Sequence, residues 1–317
     1  MRPAAWRLAL LVGLILALLL VGQALLPGFL GATQVANQLK IAAFLGLFAL
    51  CQTIVIAAGG QGLDLSVGAV ATLGGIIGAA VMGGRDAMTP VGCLAAIGGG
   101  TVVGLANGIG VARLRIPPLV ATLAVAGVVD GGLIVFVSAF QPPNAASPIL
   151  VAIAGQASAG IPNVVIAWAI VTGLAVWVLS CSAWGRRLCA TGANPKTALL
   201  SGTNTTRVQV GGYGLSGALA ALSGFLLTGY VGQAFLGLGN AYILTSVVVA
   251  AIGGVALAGG KAPYLAVVAA AVMMTVLVSL LTAIEIGEAG RQIVFGATLL
   301  AFLLLNRYMA GGSTRAP

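Results

Sequence analysis

The chain contains no histidine and only five carboxylate side chains, against 14 lysines and arginines. Without histidine there is no Ser–His–Asp or Cys–His nucleophile set and no two-histidine zinc motif. Cys51, Cys93, Cys181 and Cys189 form no CxxC, which argues against a zinc site or a disulfide framework, and they read as small apolar residues. A Lys-Thr pair at Lys196-Thr197 is preceded by Pro195 where a P-loop needs glycine, so the chain itself is expected to bind no ATP. Gly212-x-Gly214-x-x-Gly217 has the spacing of a dinucleotide fingerprint, but no strand precedes it and no acid follows about 20 positions on; its glycines read as packing residues. No catalytic, cofactor or metal residue is assigned, and the expectation is that the chain is not an enzyme. Charged residues make up 6% of the chain, against about 25% in a soluble domain. The net charge of +9 is spread along the chain rather than gathered into a patch, which argues against nucleic acid as a partner.

Hydrophobic residues, by contrast, make up 60%, and the mean hydropathy is +1.14. Uncharged runs separate the charges: 23 residues between Lys40 and Asp64, 20 between Asp64 and Arg85, 26 between Asp86 and Arg113. Each suits one crossing of a bilayer core that needs about 20 residues. The run from Asp130 to Arg186 is too long for one crossing and is interrupted at Gln141–Pro148 and at Ile161-Pro162-Asn163. The expected spans are 8–26, 41–59, 65–83, 90–112, 118–138, 163–181, 208–228, 242–258, 263–283 and 291–308. Backbone polar groups in hydrocarbon must be satisfied within the segment, so these spans should be helical. The expected fold is an all-α polytopic membrane protein of about ten helices, a single transmembrane domain over residues 1–317. Its first segment has a basic lead like a signal peptide, but the apolar run Leu8–Leu26 is long and reads as an uncleaved helix.

With ten helices both termini lie on one side. If that side is cytoplasmic, it holds Arg2, Arg7, Arg113, Arg115, Arg186, Arg187, Lys196, Arg207, Lys261, Arg307 and Arg315, leaving Lys40, Arg85 and Arg291 outside. The positive-inside rule favours this orientation. Ile54–Gly60 resembles Val247–Gly254, a weak parallel repeat that suggests halves 41–181 and 208–308 joined by the cytoplasmic loop 184–207.

Three stretches carry the candidate chemistry. In Ile54–Gly78 a glycine-rich break, Gly59-Gly60-Gln61-Gly62, precedes Asp64 and Ser66. An acid between two membrane-length apolar runs is costly and suggests a function; as a turn, Asp64 or Ser66 would cap the following helix. Gly100, Gly104 and Gly108 fall on one helix face and should let a neighbouring helix approach closely. In the loop Trp184–Arg207, Asn194 suits an N-cap, Pro195 the first helical turn and Gly202 the position after the end, predicting a short helix over 195–201 outside the bilayer. Its apolar residues Ala198, Leu199 and Leu200 need a surface to pack against, and a groove on a cytoplasmic partner fits.

Taken together, Gly60-Gln-Gly-Leu-Asp64-Leu-Ser66-Val-Gly68, Gly104-Leu-Ala-Asn107-Gly108, Arg113-Leu-Arg115-Ile-Pro117-Pro118, Ala121-Thr122-Leu123, Gly185-Arg186-Arg187-Leu188, Thr191-Gly-Ala-Asn194-Pro195, Leu200-Ser201-Gly202 and Leu257-Ala-Gly-Gly260 resemble the permeases of ribose-type sugar ABC transporters, over residues 40–308. Where many of those permeases read GGIDLS, this chain has a longer glycine-rich lead, and where they often carry Arg-Gly in the fifth helix it has Asp130-Gly131. The resemblance implies a permease dimer, homo- or heteromeric, in the bacterial inner membrane, a separate cytoplasmic ATPase that binds the ATP, and an extracytoplasmic solute-binding protein. It also implies that the loop helix, with Asn194, Pro195, Lys196, Ala198, Leu199, Leu200, Ser201 and Gly202, docks on the ATPase. Candidate groups along the pathway for a sugar or sugar-like solute are Gln52, Thr53, Asp64, Ser66, Asn107, Thr122 and Asp130. The alternative is an ion- or proton-coupled secondary transporter in which Asp64, Asp130 or Glu285 is the coupling acid.

Overall fold

The computed structural model describes residues 3–60, 62–155, 157–158 and 160–311. Gln61 of the glycine-rich break and the charge positions Arg2 and Arg315 lie outside these residues. The described chain is almost entirely helical. Its elements are α1 (Pro3–Leu25), α2 (Ala32–Ala57), α3 (Val67–Met82), α4 (Thr89–Ala112), α5 (Pro118–Phe140), α6 (Pro148–Gly155), α7 (Asn163–Cys181), α8 (Ala183–Ala193), α9 (Pro195–Leu200), α10 (Thr205–Val231), α11 (Tyr242–Ile252), α12 (Tyr264–Ala283) and α13 (Glu288–Gly311). One two-residue hairpin, Ala157–Ser158 against Ile161–Pro162, sits between α6 and α7.

Seven of these helices are long and apolar enough to cross a membrane: α1, α2, α4, α5, α7, α10 and α12. This is a multi-pass membrane protein. Of the ten expected spans, 291–308 falls on α13, which is not among these seven, and 65–83 and 242–258 fall on α3 and α11, which are short, 16 and 11 residues. At 1.5 Å per residue they reach about 24 and 16 Å. Each adjoins non-helical chain that is partly buried, at Gly62, Asp64 and Ser66 before α3 and at Leu238, Gly239 and Gly253–Val255 around α11, and irregular backbone at membrane depth is tolerated where it is buried in protein. After α2 the chain turns at Gly59 and Gly60 and runs back beside α2 before α3 begins. After α10 the segment 232–241 turns inward in the same way, until Gly239 N–H donates to Thr72 Oγ1 on α3 at 3.2 Å.

Helix α10 lies at the centre. It runs antiparallel to α4 with the three spaced glycines between them. A Cβ at Gly100 would strike Gly217 O, one at Gly104 would strike Tyr213 O, and one at Gly108 would lie 2.7 Å from Val210 Cα. The expected close approach is met, inside one chain. Gly212, Gly214 and Gly217, the false dinucleotide fingerprint, belong to this same helix, and a Cβ at Gly217 would strike Gly100 O. On its other side α10 runs parallel to α3: a Cβ at Gly74 would strike Ala221 O, and one at Gly78 would strike Phe225. Helix α2 is buried from Ala42 to Ala57 and packs against α10, α11 and α12. Its partner in the sequence likeness, Val247–Gly254, runs the same way beside it: Phe48 stacks on Tyr242 with ring centroids 4.5 Å apart, and at the far end Gly260 N–H donates to Ala57 O at 3.1 Å. Helix α1 packs on α12 with Leu11 fully buried, and Arg7 lies against Gly254.

Candidate functional site

The glycine turn after α2 brings Asp64 level with Gln52. The Gln52 side chain holds both polar groups of the Asp64 backbone: its Nε2 donates to Asp64 O at 2.7 Å, and its Oε1 accepts from Asp64 N at 3.3 Å. The carboxylate then organises the start of α3. Asp64 Oδ1 accepts from Ser66 N at 3.0 Å and from Ser66 Oγ at 2.6 Å, and Oδ2 accepts from Ser216 Oγ on α10 at 3.4 Å. Asn107 on α4 donates through Nδ2 to Ser66 Oγ at 2.7 Å. Thr122 on α5 accepts from Leu65 N at 3.2 Å and donates to Leu63 O at 3.4 Å. Gln52, Asp64, Ser66, Asn107, Thr122 and Ser216 are all buried. One residue from each of α2, α4, α5 and α10 thus fastens the break.

This geometry decides between the turn readings. Ser66 stands at the N-cap position of α3 but makes no side-chain cap bond. Asp64 does the work by taking the Ser66 amide two residues on, the Asx-turn pattern. Because the Ser66 hydroxyl hydrogen is given to Asp64, Asn107 must approach Ser66 with its amide nitrogen, and Asn107 Oδ1 is left without a partner among the described residues. Asp64 in this conformation is sealed, with three donors and, among the described residues, no cation beside it. A carboxylate so held fixes backbone. Asp64→Asn keeps an oxygen for the Ser66 donors and is expected to cost about 1 kcal/mol of stability. Asp64→Leu strands the Ser66 N–H and hydroxyl and the Ser216 hydroxyl, at about 1–3 kcal/mol each, and should abolish assembly. Thermal unfolding of the purified variants in detergent measures the difference; equal melting temperatures for the two variants would refute this role.

The other pathway candidates stand apart from the cluster. Thr53 Oγ1 donates to Ala49 O of its own helix at 2.7 Å. Asp130 lies about 12 Å along α5 from Thr122 by helix rise, is half-buried and makes no ion pair among the described residues. Glu285 is exposed in the turn between α12 and α13, with φ 60°. The three acids of the ion-coupled alternative are therefore at three separate places. Among the described residues no group of three or more Cys, Asp or Glu could hold a metal. Ser216 was not singled out from the sequence. Its signal was a serine inside the glycine-rich helix 212–217, where the spacing drew attention to the glycines instead.

The loop after α7 folds as two helices. Ser182 Oγ accepts from Gly185 N at 2.9 Å and starts α8, a helix the loop reading did not anticipate because Gly185 and Gly192 lower its propensity. Asn194 Oδ1 accepts from Thr197 N at 3.1 Å and starts α9, with Pro195 in its first turn. Gly202, at φ 79°, ends it: Gly202 N–H donates to Leu199 O and Thr203 N–H to Ala198 O, both at 3.0 Å. That pair of bonds is the Schellman arrangement, which left-handed glycine permits. Ser201 Oγ turns back to Thr197 O at 3.0 Å. Ala198 is buried beneath α9, while Leu199 and Leu200 are 61% and 89% exposed and Lys196 is exposed beside them.

The end of α8 touches the break directly. A Cβ at Gly192 would strike Ala57 O and lie 2.6 Å from Gly260 N; one at Gly59 would lie 2.6 Å from Gly192 Cα. Gly59, Gly192 and Gly260 therefore bring three backbones together with no side chain between them: the end of α2, the end of α8 and the turn before α12. The loop helix and the Asp64 cluster are linked through this joint.

Against known proteins, residues 34–303 match the family model described as branched-chain amino acid transport system / permease component. The chain is 32% identical over 264 residues to the fructose import permease protein of Rhizobium meliloti, covering 79% of this chain and 71% of that protein. It is 30% identical over 284 residues to the ribose import permease protein of Bacillus subtilis (89% and 87% covered). It is 26% identical over 295 residues to the autoinducer 2 import system permease protein of Shigella flexneri (89% and 82%). No solved structure matches the chain.

Proposed function

This chain belongs to the family of branched-chain amino acid transport system permease components, and on that premise we propose that it is the membrane subunit of an ATP-driven importer for a sugar or sugar-like solute. The relatives named for fructose and ribose import support the solute class. In this reading the chain sits in the bacterial inner membrane, binds no ATP and pairs with a second permease subunit. An extracytoplasmic binding protein delivers the solute, and a cytoplasmic ATPase engages α9.

The observation that carries the reading is the capped helix α9, two leucines outward, joined through Gly192 to the break that Asp64 holds. A six-residue helix fixed at both ends, with two leucines on its exposed side, is built to be gripped. Force applied there reaches α2 and α12 through backbone contact. Co-purification of a two-halved ATPase with the tagged permease, and ATP-dependent uptake by the assembled complex, is the direct test. Uptake that needs no ATPase and collapses with an uncoupler would sink it in favour of ion coupling.

Orientation is tested separately. A reporter fused after Arg187 should read cytoplasmic and one fused after Pro143 extracytoplasmic, as the 11-to-3 division of Lys and Arg demands. The same side for both fusions would overturn the ten-helix arrangement.

A further inference from the structure

At the end of α5 remote from the Asp64 cluster, two loops pair into a rim. Ala146 N–H donates to Gly232 O at 2.9 Å and Ala234 N–H to Asn144 O at 2.8 Å. Beneath this rim lies a partly enclosed cavity of about 240 Å³ between α3, α5 and the inward-turning segment after α10. Val137 forms one wall, Pro142 and Pro143 a second, Phe235 and Leu236 a third. The only hydrogen-bonding side chain in the lining is Asn144, which is exposed and makes no side-chain hydrogen bond among the described residues.

We propose that this cavity is a binding subsite for a single-ring neutral polyol, the first position a solute occupies on the permease. The inference rests on the importer reading and adds a location to it. Binding sites for small molecules combine apolar walls with a few placed polar groups. The C–H face of a sugar ring suits the Phe235 ring and the flat prolines, and the Asn144 amide, both donor and acceptor, can meet two neighbouring hydroxyls. The volume lies below the roughly 300–1,000 Å³ of sites for drug-sized ligands, which selects one ring over two. No charged group lines the cavity. The nearest acid on α5 is Asp130, seven residues from Val137, hence on the same helix face and about 10 Å deeper; it would repel an anionic solute. The position also suits passage onward, because the wall at Phe235 and Leu236 belongs to the segment 232–241, whose Gly239 is bonded to α3.

The test uses the assembled transporter in proteoliposomes, with binding protein at saturation and radiolabelled ribose, fructose and galactose as separate probes. Phe235→Ala and Asn144→Ala should each lower uptake about tenfold while the ATPase stays bound. In a background of Cys93→Ser and Cys181→Ser, Asn144→Cys should be labelled from the outside by an impermeant thiol reagent, and the transported sugar should slow that labelling at least threefold. Undiminished uptake in both alanine variants, or labelling indifferent to sugar, overturns the subsite and leaves the importer reading standing. If the unmodified transporter moves none of the three sugars on ATP, the importer reading falls and the subsite falls with it.

Discussion

Leu200→Asp should strip the ATPase from the permease and abolish uptake. Leu200 is 89% exposed on α9 and Leu199 61%. Burying one leucine side chain in a partner's groove contributes about 1.5–3 kcal/mol, and 1.4 kcal/mol is a factor of ten in affinity. Aspartate forfeits that term and adds a carboxylate to an apolar contact, so affinity should fall by well over tenfold. Leu199→Asp should behave alike. Neither change touches a membrane-length helix, so insertion and yield should match the unmodified protein. Asn194→Ala, which removes the cap bond to Thr197, should cost about 1 kcal/mol and weaken association only moderately. Co-purification of the ATPase and solute uptake in cells are the two measurements. Full retention of both in the aspartate variants would move the docking surface elsewhere, to Arg113–Pro118 or Lys261.

Gly192→Val should uncouple the transporter in a different manner. Its side chain would drive into Ala57 O and Gly260 N, and neither backbone can yield without breaking the bond between them. Forced overpacking of this kind costs about 1–3 kcal/mol. The α8–α9 unit would be displaced from the break while α9 itself stays intact. The expected result is an ATPase that still co-purifies, still hydrolyses ATP, and drives uptake at less than a tenth of the normal rate. Loss of ATPase binding in Gly192→Val, with uptake and binding failing together, would mean the joint shapes the docking surface rather than transmitting motion.

The parts of this structure that were legible in the sequence are those fixed by neighbours along the chain. Asn194, Pro195 and Gly202 sit within nine positions, and each acts on backbone close to it, so α9 could be read with its ends. The Gly100, Gly104 and Gly108 spacing likewise states a helix face without naming what lies on it. The Asp64 cluster was half legible. The break and its acid stand out in an apolar run, and Gln52, Asn107 and Thr122 stand out as polar groups in expected spans, but nothing local says that they meet. Ser216, 152 positions from Asp64, joins them only because α10 packs at the centre of the bundle. For the same reason the shortness of α3 and α11 escaped a reading by hydropathy: non-helical chain such as Gly253–Ala258 is as apolar as the helix it extends.

The glycine contacts around α10 also divide the subunit mechanically. Along α4 and α3 backbone meets backbone, and a slide of one residue would drive a Cβ into a carbonyl on the facing helix. Those three helices can therefore shift only as a rigid body. Helix α5 meets that body with few side chains, Ala121, Thr122, Val129 and Leu133 being its buried residues, and it ends at Gln141, a C-cap with φ 42°. Shear between α5 and the α3–α4–α10 block is the lower-cost motion of this architecture, and it would open or close the space between Val137 and the loop at Phe235 while leaving the glycine contacts among α3, α4 and α10 in place.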